Sequence, residues 1–310
     1  MNKYNKVLVT GGSGFIGQSI MKIRPEWVYM SSSDCDITDK DKLYDYLKCI
    51  KPDAIIHLAA RVGGIKDSVT NQADFLYLNN LINTNIVHQA YKAGIGRMLS
   101  CLSTCCFPDI NDLYPMTEED LLKGEPTQSN YGYAYAKRIL FLQSKYYSEC
   151  YGLNYNTFTP SNIYGENNSF DNDNSHFVSR MIRAFSEAKD GEELTFWGSG
   201  QPLRQHLYVK DLAEIIVMLL DKHNTKIPLI VSPNENLSIK EHINTMNAIA
   251  KKNNVIKFNG DLDGQFRKDA SNKNLLELIG GYNFTNLKAG LGMTYNWYQK
   301  NQFIKITDKF

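Results

Sequence analysis

The chain alternates short apolar runs with longer stretches in which apolar residues recur at helical spacing. In the first half the short runs are Val7-Leu8-Val9-Thr10, Trp27–Met30, Ala54-Ile55-Ile56-His57-Leu58, Arg97–Leu102 and Tyr155–Pro160. A brief run with no polar interruption, such as Val7–Val9, is the pattern of a strand buried on both faces. Between these runs the spacing predicts helices from about Gly14, over Asp39–Ile50, over roughly Asn71–Ala93 and over Tyr131–Tyr151. Lys51-Pro52-Asp53, Gly94 and Gly152 supply the stops for the last three. Strand and helix in alternation predict an α/β chain: a Rossmann, doubly wound parallel sheet with helices on both faces.

After Gly165 the regularity weakens. Asn167–Ser175 is a polar loop, followed by a helix over about His176–Ala188, a strand around Leu194–Trp197 and a Gly198-Ser199-Gly200 turn. Ser238-Ile239-Lys240-Glu241 has the spacing of a capping box, so a helix is expected to start at Ser238. This part reads as a smaller C-terminal α/β substrate-binding lobe. The expected division is a dinucleotide-binding domain over 1–164, to which 202–232 returns, and a substrate lobe over 165–201 and 233–310.

Composition narrows the class. The chain has 310 residues with 34 Lys+Arg against 33 Asp+Glu, a balance that gives no reason to expect nucleic acid or an anionic membrane as partner. The longest apolar helical segment, Leu212–Leu220, is interrupted by Glu214 and too short for a bilayer. The start runs through Lys6 straight into Val7 with no secretory pattern, and the six cysteines form no C-x-x-C pair and no zinc spacing. Reduced thiols, a cytoplasmic location and no metal are the expectation.

Three constellations carry chemistry. Gly11-Gly12-Ser13-Gly14-Phe15-Ile16-Gly17 joins the first strand to the first helix. Gly11 suits the tight turn, Gly14 the close approach of a pyrophosphate, and Gly17 the packing of helix on strand. The tip of the second strand, Met30-Ser31-Ser32-Ser33, lacks the acid that would hold the ribose of NAD, so NADP(H) is the expected cofactor, with Asp36 bordering the adenine. Tyr133 and Lys137 stand four apart on one helical face, where the ammonium would lower the phenol's pKa from about 10 and ready it for proton transfer. Ser103 follows a strand end, where such folds bind ligands.

These residues resemble the extended short-chain dehydrogenase/reductase family. Further segments are similar to its GDP-L-fucose synthase branch: His57-Leu58-Ala59-Ala60-Arg61-Val62-Gly63-Gly64, Ser103-Thr104-Cys105-Cys106-Phe107-Pro108, Asn174-Ser175-His176, Trp197-Gly198-Ser199-Gly200 and Asp263-Gly264-Gln265-Phe266-Arg267-Lys268. The resemblance spans essentially the whole chain. It implies epimerisation of GDP-4-keto-6-deoxy-D-mannose at C3 and C5, then NADPH-dependent reduction at C4, in one site. Ser103, Cys105, Tyr133, Lys137 and His176 are then the catalytic set, with Cys105 and His176 as the epimerisation acid and base. Gly11, Gly12, Ser13, Gly14, Phe15, Ile16, Gly17, Asp36, Leu58, Ala59, Ala60, Tyr133, Lys137, Pro160, Asn162 and His176 would line the cofactor. Ser103, Arg183, Trp197, Arg204 and Lys268 would hold the substrate, and a homodimer is implied through the helices around Asn79–Ala93 and Tyr131–Tyr151.

Residue chemistry fits this in part. Unperturbed Cys and His pKa values, about 8.5 and 6.5, bracket neutrality. If the strand geometry continues past Leu102, alternation turns Cys105 to the side of Ser103 and Cys106 away. The family's basic residue near the second strand tip is missing, and Ser161 stands where Thr is more usual. Thr104-Cys105 occupies the place of the Asp-Glu pair of related dehydratases, which argues against elimination. A reductase or epimerase for another keto sugar is the alternative, and a cofactor-sensing protein without chemistry would have lost Tyr133, Lys137 or Ser103.

Overall fold

The computed structural model describes residues 3–171, 175–260, 263 and 265–301; the side chains of residues 65 and 66 are not part of the description. Asn174, Gly264 and positions 302–310, which figured in the expectations above, lie outside the described residues.

The first half runs β1 (Val7–Thr10), α1 (Phe15–Met21), β2 (Val28–Met30), α2 (Lys40–Ile50), β3 (Ala54–His57), α3 (Ile65–Thr70), α4 (Gln72–Lys92), β4 (Arg97–Cys101), α5 (Tyr131–Tyr151) and β5 (Asn154–Pro160). There follow β6 (Asn162–Tyr164), α6 (Phe177–Glu187), β7 (Glu193–Phe196), β8 (Leu203–Arg204), β9 (His206–Tyr208), α7 (Val209–Lys222) and β10 (Leu229–Val231). The chain continues through β11 (Leu237–Ser238), α8 (Ile239–Ala250), β12 (Val255–Phe258), α9 (Lys273–Ile279) and α10 (Leu287–Asn301). The helix expected over Asn71–Ala93 is α4, and a separate short helix, α3, precedes it across Asn71. Local signals set the ends: Asp39 caps α2 through the backbone N–H groups of Asp41 and Lys42, and the Ser238–Glu241 capping box opens α8. Gly152 closes α5 at φ 67°.

Six parallel strands form the central sheet in the order β10-β5-β4-β3-β1-β2. Alternation along β1 sends Leu8 to one face, under α2, α4 and α5, and Val7 and Val9 to the other, under α1 and α7. Winding reverses between β1 and β3, so a crevice opens at their carboxyl ends, where open α/β sheets bind ligands. A third core of Tyr164, Val178, Met181, Ile182, Phe185, Tyr208, Ile243, Met246 and Leu291 joins α6, α8 and α10. Leu275 and Ile279 of α9 pack instead into the core beneath α7.

Candidate active site

The glycine turn stands at the crevice. Gly11 adopts φ +68°, and a Cβ there would meet the Ala59 nitrogen at 2.9 Å. A Cβ on Gly12 would lie 2.6 Å from Cβ of Tyr29, and one on Gly17 2.5 Å from the Gly11 carbonyl oxygen. Only glycine fits at Gly11, Gly12 and Gly17, so the turn packs tightly on β2 and on the Leu58-Ala59 segment, the close-wound form a pyrophosphate cradle needs. Thr10 holds its two walls together. Its Oγ1 accepts from the N–H groups of Leu58 and Ala59, both at 3.2 Å, and bonds Nδ1 of buried His57 at 2.8 Å. His57 Nε2 continues to Asn83 Oδ1 at 3.2 Å, and Asn83 Nδ2 donates to the Ala136 carbonyl at 3.2 Å. Burial, then the Lys137 ammonium, pushes the His57 imidazole down to about 3, so the ring is neutral within this chain of bonds.

At the tip of β2, Asp34 folds back on Ser31, taking bonds from its N–H (2.8 Å) and Oγ (2.6 Å) that keep the carboxyl low. Asp36 accepts from the N–H and hydroxyl of Thr38 and is exposed. Pro160 ends β5 and Asn162 opens β6.

Tyr133 and Lys137 lie on one face of α5, with Lys137 Nζ 5.7 Å from the Tyr133 ring centre. Lys137 is 1% exposed and donates to the Cys101 carbonyl at 2.8 Å. The expected lowering of the phenol is not found: burial, reinforced by Cys101, Cys105 and Cys106, pushes Tyr133 well above its ordinary value. The ammonium is turned to the strand-end carbonyl, so Tyr133 is held as a phenol, a proton donor.

Past β4 the extended geometry stops. Ser103 caps a single 3-10 turn, Thr104–Cys106, its Oγ accepting from the Cys105 N–H at 3.2 Å. The turn, rather than strand alternation, separates the two thiols. Cys106 is buried in the core and pushed up to about 12 by that burial. Cys105 keeps access, and Lys268 Nζ stands 3.6 Å from its Sγ. Burial raises the Cys105 thiol, but the Lys268 ammonium, hydrogen bonds from Ser103 and Lys268, and the Arg204 guanidinium outweigh it and hold the thiol below its ordinary value.

Lys268 arrives there because the segment around it is strapped across the site. Gln265 Nε2 donates to the Asp109 carbonyl (2.7 Å), Leu203 N to the Phe266 carbonyl (2.9 Å), and Met116 N to the Asp269 carbonyl (2.9 Å). Arg204, on β8, is half-buried, and Asp263 and Cys105 are the negative groups acting on its guanidinium. His176 is the N-cap residue of α6. Its residue surface is exposed, yet desolvation of the ring by the protein around it and then Arg180 hold the imidazole below the ordinary value.

Other expected residues stand apart. Arg183, expected among the substrate groups, pairs with Glu187 at 2.7 Å and donates to the Phe170 carbonyl. Trp197, 62% exposed, marks the rim ahead of the Gly-Ser-Gly turn. The sequence carries no signal for Thr10, His57 and Asn83 as a unit, nor for the contact of Lys268 with Cys105.

A nucleotide-shaped cradle at a switch point, with a Ser/Tyr/Lys centre beside it, defines a nucleotide-sugar short-chain dehydrogenase/reductase. The family model of the NAD dependent epimerase/dehydratase family matches residues 7–231, and the chain belongs to that family. Within it, the chain is 37% identical to a probable GDP-L-fucose synthase of Drosophila melanogaster, covering 96% of this chain and 98% of that protein. It is 36% identical to the GDP-L-fucose synthase of Dictyostelium discoideum, over 95% of each. The crystal structure of a GDP-L-fucose synthetase from Naegleria fowleri bound to NADP matches with a TM-score of 0.89 at 30% identity, covering 97% of this chain and 94% of that one.

Proposed function

We propose that the chain is a GDP-L-fucose synthase, an NADP(H)-dependent enzyme that epimerises GDP-4-keto-6-deoxy-D-mannose at C3 and C5 and reduces C4. The observation that carries this reading is Cys105: a thiol with an ammonium at 3.6 Å, on the same strand-end turn as Ser103 and within electrostatic reach of the Tyr133 phenol. A plain reductase needs the phenol and not the activated thiol.

The C4 ketone acidifies the hydrogens on C3 and C5. Cys105, as thiolate, takes a proton from such a carbon, and His176 returns one to the opposite face. Ser103 holds the carbonyl oxygen by its hydroxyl, and Tyr133 protonates that oxygen. NADPH, when bound, supplies the hydride that C4 accepts. The glycine turn and the Leu58, Ala59 and Ala60 segment would hold the dinucleotide, and Arg204 and Lys268 the anionic end of the substrate. Division into a dinucleotide lobe and a substrate lobe, a cytoplasmic location and a homodimer belong to the same reading. Among the described residues no helix is long and apolar enough to cross a membrane. Exposed Leu76 and Tyr77 on α4 and Tyr146 and Tyr151 on α5 supply an apolar surface suited to a second copy.

The test is incubation with the keto sugar and NADPH in deuterated water, followed by NMR of the product. GDP-fucose with deuterium at C3 and C5 is the expected outcome. Reduction without deuterium at those carbons would leave a plain 4-reductase and remove the roles of Cys105 and His176.

A further inference from the structure

Two histidines that the mechanism above leaves idle are in contact beside the site. His206 lies on β9, two positions after Arg204, and is in register with Asn162 of β6. Its Nδ1 is 2.7 Å from Nε2 of His242, whose Nδ1 is 2.7 Å from the Ser238 carbonyl oxygen. A carbonyl oxygen only accepts, so His242 carries its proton on Nδ1. Nε2 of the neutral His242 ring is then an acceptor, and the proton between the rings belongs to Nδ1 of His206. This fixes the His206 tautomer and leaves a lone pair on its Nε2.

Both rings are neutral near pH 7. Burial, followed by His242, Arg204 and His176, holds His206 well below its ordinary value, and burial likewise lowers His242 against the pull of Ser238, Glu235 and Glu241. The His206 ring packs 6.0 Å from Phe177 and 6.2 Å from Tyr164, centre to centre. His242 is fully enclosed, whereas His206 keeps partial exposure. With His242 on Nδ1, Nε2 is the ring nitrogen that no hydrogen bond among the described residues occupies. Besides His242, the groups acting on the ring are Arg204 and His176.

We propose that His206 is a substrate-contacting, specificity-determining residue: its Nε2 accepts a hydrogen bond from a hydroxyl of the hexose. This rests on the GDP-sugar reading given above. Arg204 serves the phosphate end and Asn162 the nicotinamide side, so a residue two positions from one and in register with the other flanks the sugar between them. Once bound sugar covers it, a neutral acceptor selects for a hydroxyl, because a sugar lacking one leaves the lone pair unmet. His242 earns its place here: alone, the ring would also populate the tautomer that presents N–H.

The test uses two unreactive probes, GDP and GDP-D-mannose, titrated by calorimetry into the full chain. His206→Phe keeps a ring against Phe177 and Tyr164 and removes the acceptor. It should weaken GDP-D-mannose about tenfold while changing GDP and NADPH affinity by less than about twofold. His206→Gln, which retains an acceptor, should recover most of the loss. Equal losses for GDP and GDP-D-mannose, a loss of NADPH affinity, or unchanged GDP-D-mannose affinity would each overturn the assignment. A wild-type chain that binds NADPH and neither GDP ligand sinks the GDP-sugar reading itself, and this assignment with it.

Discussion

Replacing Lys268 by Met tests what sets the reactivity of Cys105. The substitution keeps a long side chain in the strap and deletes its charge. Two unit charges 3.6 Å apart, the observed Nζ–Sγ separation, interact by about 1 kcal/mol in bulk water and about 4–5 kcal/mol at an effective dielectric near 20. Both groups keep partial exposure, so the lower part of that range applies, about 1–3 kcal/mol, or about one to two pH units on the thiol. Burial continues to push the thiol up once the ammonium is gone, with only Ser103 and Arg204 left to oppose it, so its pKa should rise. The assay is alkylation rate against pH, in a background where exposed Cys49 and Cys150 are replaced by Ser. In the parent the rate should rise with pH below the usual thiol range. In Lys268→Met the rise should shift upward by that one to two units, and deuterium exchange into saturating keto sugar at neutral pH should fall at least in proportion to the lost thiolate. An unchanged alkylation profile would refute the reasoning, because the thiol would then owe its lowered pKa to Ser103 and Arg204 rather than to Lys268.

Tyr133→Phe should slow C4 reduction by about a hundredfold or more, leave NADPH affinity nearly unchanged and let deuterium exchange continue; stopped-flow NADPH oxidation beside NMR exchange separates the steps. His57 is neutral in the fold, its pKa lowered from 6.5 to about 3. The unfolded chain therefore binds the extra proton between those values. Its contribution to stability is intact above pH 6.5 and is lost at about 1.4 kcal/mol per pH unit on acidification. Urea unfolding followed from pH 7 to pH 4 should show that slope reduced in His57→Gln, and an identical slope would count against a neutral His57.

The architecture was legible because its signals are local. Apolar runs marked β1 and β3, Gly152 and the Ser238–Glu241 pair marked helix ends, and Gly11–Gly17 marked the cradle, each through neighbours a few residues away. Tyr133 and Lys137 were legible for the same reason: helical spacing alone puts them on one face. Three things were not. The 3-10 turn at Thr104–Cys106 depends on the Ser103 side chain competing for the backbone, so the strand alternation expected past Leu102 does not apply there. The raised Tyr133 pKa depends on burial, and Lys137 spends its ammonium on a carbonyl that spacing does not reveal. The pairing of Arg183 with Glu187 one turn away is a side-chain contact that the resemblance does not carry.

The strap that carries Lys268 has a consequence for the timing of synthesis. Cys105 and Lys268 are 163 positions apart. At ordinary translation speeds the sulfur emerges on the order of ten seconds before its ammonium exists. Throughout that interval Cys105 is a protonated, sluggish thiol, poorly suited to attack by oxidants or to pairing with Cys101 or Cys106 close by in the nascent chain. The nucleophile is fully armed only when the segment around Lys268 closes over it, so a product truncated before that segment carries a less reactive sulfur into the cell.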